Sequence, residues 1–262
     1  MKLPCYFVNA FTDKLFTGNP AAVCLLPHGL PEETLRKIAI ENNLPVTVFL
    51  VKEENHYAIR WITPDYELYL CGHGTLAASY VIFNYITPSL SQIELRSKET
   101  SILVTRNDPW ITFAFAKKEL APIEPSALLQ KALGATIHSV YEHKNERLLI
   151  VLDDEKTIKN LNPDLQALKQ LTHNGLTVTA RGTDVDFVSR TFYPKKSIHT
   201  EDAVTGAAHC MLAPFWEKQL QKSSLTAKQI SARGGFLKCE VTAETVLLSS
   251  QAILYLEGSI VF

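Results

Sequence analysis

The chain has 262 residues, 26 Lys+Arg against 27 Asp+Glu for a formal net charge of −1, and 46% hydrophobic against 20% charged residues. That balance excludes both the basic excess of a typical nucleic-acid binder and the low-hydrophobicity, high-charge make-up of a disordered chain. No apolar run approaches the roughly 20 residues needed to span a bilayer, so a membrane partner is not expected either.

Met1-Lys2-Leu3-Pro4-Cys5-Tyr6 lacks a signal-peptide apolar region, and Cys5, Cys24, Cys71, Cys210 and Cys239 form no CxxC pair. A cytoplasmic protein with neither a disulfide frame nor a zinc site is expected. The eight histidines include no HExxH and no His-x-His, so no bound metal is expected.

In chain order, Pro31-Glu32-Glu33 predicts a helix opening, with acids at the positive dipole end and Leu35, Ile38, Ala39 and Asn42 on one face. Residues 57–62 read as a strand. After Gly72-His73-Gly74-Thr75 a helix that is apolar on nearly every face runs from Leu76 to Phe83, the signature of a buried helix. Strands follow at 102–105 and 110–115, and the charges and prolines from Lys117 to Pro125 suggest a linker. Pro125-Ser126 and Asn162-Pro163-Asp164 open surface helices, the second with Leu165, Leu168 and Leu171 in register. Further strands are predicted at 148–151, 176–179, 185–192 and 252–256. A second all-apolar helix follows Val204-Thr205-Gly206-Ala207-Ala208, with Pro214 expected to kink or end its first part.

The surroundings of the two buried helices repeat. Arg60-Trp61-Ile62-Thr63-Pro64 and Arg190-Thr191-Phe192-Tyr193-Pro194 stand 130 residues apart, each followed by an acid-containing loop (Asp65, Glu67; Glu201, Asp202) and a helix start of small residues. Counted to Gly74 and Gly206 as the opening glycines, the intervals from each proline are 10 and 12 residues. This predicts duplication into an α+β protein of two pseudo-symmetric lobes, each a barrel-like sheet around a central buried helix. The lobes are placed at 1–118 plus 251–262 and at 119–250.

Small residues at a helix start either let the helix pack closely or leave its unpaired N–H groups bare for an anion. If the second, two such starts facing one cleft would hold a small carboxylate. His73 lies within the first start, where an imidazole can titrate near neutrality and move a proton. Asp202 precedes the second start and reads as an N-cap, an acid–base group, or both. Together, His73 and Asp202 look like the same place in two repeats. His209, on the buried helix itself, reads as a core residue. Cys71 is a candidate thiol base, but Ala203 and Val204 supply no matching cysteine before Thr205.

At these residues the chain resembles the PhzF-like isomerase family, which has a diaminopimelate epimerase-type fold. The likeness is carried by Phe7-Val8-Asn9-Ala10-Phe11-Thr12, Gly18-Asn19-Pro20-Ala21-Ala22-Val23, Leu70-Cys71-Gly72-His73-Gly74-Thr75-Leu76-Ala77-Ala78, Asp186-Phe187-Val188-Ser189-Arg190, Glu201-Asp202-Ala203-Val204-Thr205-Gly206-Ala207-Ala208-His209 and Arg233-Gly234-Gly235. The resemblance implies a cofactor-free enzyme, commonly a homodimer, that moves a proton along a conjugated carboxylic acid held between its lobes.

In the family a glutamate, a histidine and an aspartate line the cleft; the last two map to His73 and Asp202. The glutamate's position is Val46, because Asn43-Leu44-Pro45-Val46-Thr47 stands where the family reads Asn-Leu-Ser-Glu-Thr. Ala203 and Ala207 likewise stand where the family tends to have Pro and Ser. Three accounts follow: Glu41 substitutes for the lost acid, His73 and Asp202 manage a less demanding proton transfer, or the protein binds a small carboxylate without catalysis. Substrate contacts are expected from Asn19 and from the backbone at Gly72, Gly74, Gly206 and Ala207. Arg233 with Gly234 either meets a carboxylate at the cleft rim or forms a turn between strands.

Overall fold

A computed structural model describes residues 2–196 and 198–262 as two compact units, one of Met1–Ala114 with Leu248–Phe262 and one of Phe115–Leu247. In the first unit, β1 (Lys2–Ala10) and β2 (Asn19–Leu26) are followed by α1 (Glu32–Asn42), β3 (Thr47–Lys52), β4 (Tyr57–Ile62) and the short β5 (Glu67–Leu68). Then come α2 (Gly72–Val81), a π-helical turn (Ile82–Ile86), β6 (Gln92–Arg96), β7 (Ser101–Asn107) and β8 (Trp110–Ala116).

The second unit holds β9 (Ala121–Ile123), α3 (Ala127–Leu133), β10 (Ile137–His143), β11 (Arg147–Leu152), α4 (Glu155–Asn160) and the single turn α5 (Leu165–Leu168). It continues through β12 (Gly175–Arg181), β13 (Phe187–Phe192), β14 (Glu201–Asp202), α6 (Gly206–Leu220), β15 (Ser224–Gln229), β16 (Gly235–Val241) and β17 (Thr245–Ser250). The last strand, β18 (Ala252–Val261), returns to the first unit and pairs with β1. No helix is long and apolar enough to cross a membrane among the described residues.

The order of strand orientations recurs between the two units. β1–β2 is antiparallel, β2–β3 parallel, β3–β4 and β4–β5 antiparallel, β4–β6 parallel and β6–β7 antiparallel. β10–β11, β11–β12, β12–β13, β13–β14, β13–β15 and β15–β16 repeat that order of orientations. The two arginines at the repeated motif also do the same work. Arg60 grips Glu67 through Nε and Nη2 at 2.7 and 2.6 Å, and Arg190 grips Glu201 through the same atoms at 2.7 and 2.9 Å.

Strand alternation decides what each face of the first unit packs against. Phe49 and Ile62 join Cys24, Leu35, Ile38 and Ala39 in a core under α1. Val48 and Trp61, one residue away on the same strands, point to the other face and meet α2 at Gly74. The helix α2 is buried from Gly72 to Ser79, as its all-apolar sequence predicts. It stops at Val81 rather than Phe83, where the chain widens into the π turn closed by Thr87 N–H to Ile82 O at 2.8 Å.

Pro214 does not end its helix: α6 runs on to Leu220. A proline there lacks the N–H that would bond the carbonyl four residues back. That carbonyl, Cys210 O, accepts the backbone N–H of Lys118 at 3.0 Å instead, so the buried turn keeps its acceptor satisfied. The remaining predicted helices open where expected, with Ser126 capping α3 and Asp164 capping α5, but α5 is a single turn that ends at Leu168, short of Leu171. Of the predicted strands only β4 keeps its limits; β7, β8, β11 and β12 each run one or two residues longer at one or both ends, β13 begins at Phe187 rather than 185, and β18 extends to Val261 rather than 256.

Candidate functional site

Neither buried helix has a side-chain cap at its N-terminus, and neither has an acid in its first turn. The caps are Cys71, with φ −145° and ψ 107°, and Thr205, with φ −112° and ψ 92°. Aligning the two repeats at these caps pairs Gly72 with Gly206, His73 with Ala207 and Gly74 with Ala208. Two sequence expectations change as a result. The helix opens at Gly72, not Gly74, and Gly74 is there for packing. A Cβ on it would lie 2.7 Å from Trp61 Cδ1 and 3.1 Å from Val48 Cγ2.

Normally Gly→Ala inside a helix gains up to about 1 kcal/mol, whereas overpacking costs about 1–3. Gly74→Ala is therefore expected to lower the unfolding free energy by about 1–2 kcal/mol in urea titration, against the sign that helix propensity alone predicts.

The second change concerns the acid–base pair. Register aligns Glu67 with Glu201, opposite Ile62 and Phe192, so Asp202 matches Leu68 while His73 matches Ala207. Thus His73 and Asp202 are not the same place in two repeats, but stand at different positions of them.

His73 is 8% exposed and its Nδ1 lies 3.4 Å from the Cys71 Sγ, a hydrogen bond that fixes the ring over the first turn. Cys71 in turn is held by the helix, whose Thr75 N–H and hydroxyl both donate to Cys71 O, at 2.9 and 2.7 Å. Val46 is fully buried, one residue before β3, and alternation puts it on the α2-facing side with Val48. Glu41 is exposed in the last turn of α1, on the opposite face, so the account in which it replaces the missing acid does not fit this loop path. Asn19 is fully buried at the start of β2, the strand beside α2. Gly18 before it needs its φ of +71°, since a Cβ would strike Ala10 O and Thr12.

In the second unit, Asp202 is not the N-cap; Thr205 is. The Asp202 carboxylate accepts the Thr205 hydroxyl at 2.6 Å, and Gln229 ties the segment together. Its Oε1 accepts the Thr205 N–H at 2.9 Å, and its Nε2 donates to Asp202 O at 2.6 Å. Fully buried Gln229 was not singled out by sequence reading, because nothing local marks a residue that works 24 to 27 positions away. Trp61, whose indole packs where Gly74 leaves room, was read only as part of the repeat.

Arg233 and Gly234 sit in the connection from β15 to β16, where Gly234 has φ +67° and its N–H donates to Ser231 Oγ at 3.1 Å. This is the turn that one of the two readings expected. The same Ser231 hydroxyl donates to Ala203 O at 2.7 Å, so the turn lies against the segment leading into α6. Burial lowers the Arg233 pKa from its ordinary value.

His209 is a core residue, as its place on a buried helix implied. Its Nδ1–H donates to Thr205 O at 2.9 Å, and complete burial pushes its pKa down to about 4. An unfolded histidine takes up its proton near pH 6.5, whereas the folded one resists. Acidification from about 6.5 to 4 should therefore erode stability, with the loss levelling off below 4. Urea titrations across that window should show this limb, and His209→Leu should flatten it.

The model of the family described as phenazine biosynthesis-like protein matches residues 8–258. An uncharacterized isomerase of Pseudomonas aeruginosa is 41% identical over 99% of both chains. A human phenazine biosynthesis-like domain-containing protein is 33% identical, again over 99% of both. Among solved structures, a PhzF-family protein of Enterococcus faecalis is similar with a TM-score of 0.93 and 43% identity over the whole of both chains. A hydroxyproline epimerase from Agrobacterium vitis shares the fold at a TM-score of 0.64 and 9% identity, over 99% of this chain and 92% of its own.

Proposed function

The chain belongs to the phenazine biosynthesis-like family, and from that premise we propose that it is an isomerase moving a proton on a small, conjugated carboxylic acid. His73 and Asp202 are its acid–base groups. The two uncapped helix starts take the substrate's negative charge through the backbone at Gly72, Gly206 and Ala207. Relatives named as isomerases support the reaction class.

The observation that carries the reading is His73 itself: an imidazole in the first turn of an uncapped buried helix, its ring held by the Cys71 thiol. Buried helix starts favour bound anions, and an imidazole beside one can pass a proton at neutral pH. The Asp202 carboxylate, fixed by the Thr205 hydroxyl, is the complementary group. With valine at position 46 the proton moves without the third acid that the family resemblance implies.

The test is solvent exchange. Incubated in deuterium oxide with a panel of small unsaturated carboxylic acids, the protein should label at least one of them, read by mass spectrometry. Thermal shift on the same panel separates the outcomes. Acids that stabilise the protein but never acquire label would support a carboxylate-binding protein on this scaffold and contradict catalysis; acids that do neither would remove the site.

A further inference from the structure

The first unit carries a cavity of about 490 Å³ on the α1 side of its sheet, the face opposite His73. That volume lies within the roughly 300–1,000 Å³ of small-molecule sites. Its floor is apolar, with Leu35, Phe49 and Val51, and Arg60, Arg96 and Lys98 stand at its polar side. We propose that this cavity is a second binding site, for a small monocarboxylic acid with an apolar body, whose carboxylate bonds Arg60 Nη1.

The argument comes from comparing the two repeats. In the second unit, Arg190 uses Nε and Nη2 on Glu201 and turns Nη1 to two carbonyls at the end of α4, Ile158 O at 3.1 Å and Leu161 O at 2.6 Å. The side chains of those two residues lie in that unit's core. The fold thus shows what completes this arginine: oxygen acceptors on Nη1 with apolar groups beside them. Arg60 makes the same two-pronged hold on Glu67, and Glu32 Oε2 lies 3.6 Å from Nη2, but among the described residues no acceptor stands on Nη1. Arg60 is instead a lining residue of the cavity. A bound acid with an apolar body supplies both missing parts.

Charge narrows the occupant to one carboxylate. Glu67 and Glu94 offset Arg60 and Arg96, at 2.6 and 2.7 Å, and Lys98 is the lining cation beyond those two pairs. Glu53 on the same rim and Glu32, 3.6 Å from Arg60, oppose any further negative charge, which disfavours polyanions such as nucleoside phosphates.

The probe is 2-naphthoate, with 2-naphthamide as its uncharged counterpart, titrated by calorimetry. The expected result is one binding event that weakens about tenfold in both Arg60→Gln and Lys98→Ala, weakens similarly for the amide, and disappears in Ala58→Phe, which fills the cavity. Lys98 is exposed, so its variant reports on the site even if Ala58→Phe does not fold. Binding that is absent at millimolar probe, or that ignores Arg60→Gln and Lys98→Ala, overturns the proposal.

Discussion

Replacing His73 by alanine or glutamine is expected to cut deuterium incorporation into the substrate by about 10²–10⁴-fold, the ordinary worth of a general acid–base group. Both variants should bind the acid with a similar thermal shift, since the anion is held by backbone N–H groups and not by the imidazole. The ring's hydrogen bond to Cys71 gives a second readout. Cys71→Ala leaves the imidazole chemically able but less well held, so its loss should be smaller than that of His73→Ala and should appear in the turnover rate rather than in binding. Equal losses in the two variants would transfer the proton to the thiol.

Val46→Glu is expected to raise exchange by a comparable factor, because it restores a carboxyl on the α2-facing side of the strand beside Val48. It should also cost stability, with a definite pH dependence. Val46 is fully buried, so an acid there resists ionisation and its folded pKa rises above the unfolded value of about 4.3. A group with a raised folded pKa that must lose its proton destabilises increasingly as pH rises, by about 1.4 kcal/mol per unit until the folded pKa is reached. The stability gap between parent and variant should thus be small near pH 4 and widen toward pH 7. A gap that does not change with pH, together with unchanged exchange, would show that position 46 does not face the reacting atoms.

Much of this was legible in the sequence, for identifiable reasons. The repeated motif showed because Arg60 and Arg190 each pair with a glutamate on the short strand that follows, so both halves carry the same arginine and acid in order. The buried helices showed because a helix without a wet face has no polar side chains to spare. The continuity of α6 through Pro214 was hidden: it depends on Lys118, almost a hundred residues away, supplying the missing N–H. The alignment of the two helix starts was misjudged by two residues because Gly72 and Gly74 look alike in sequence. Only the clash of a Cβ with Trp61 separates the glycine that opens the helix from the one that packs it. Likewise α4, capped by Asp154, is a six-residue helix too short to show a periodic face.

At the site, residue types that carry chemistry were visible and their supports were not. His73 and Asp202 stand out as titratable groups beside small residues. Gln229, which bonds both Asp202 and Thr205, is an unremarkable glutamine on a strand until the chain is folded.

The central claim is that His73 and Asp202 both take part in the proton transfer. A kinetic double-mutant cycle on deuterium exchange tests it most directly, using His73→Gln, Asp202→Asn and the two combined. Groups that work as a unit are strongly non-additive, so the combined variant should lose scarcely more than the worse single one. Full multiplication of the two losses, or exchange unaffected by Asp202→Asn, would mean that the two residues do not share a reaction.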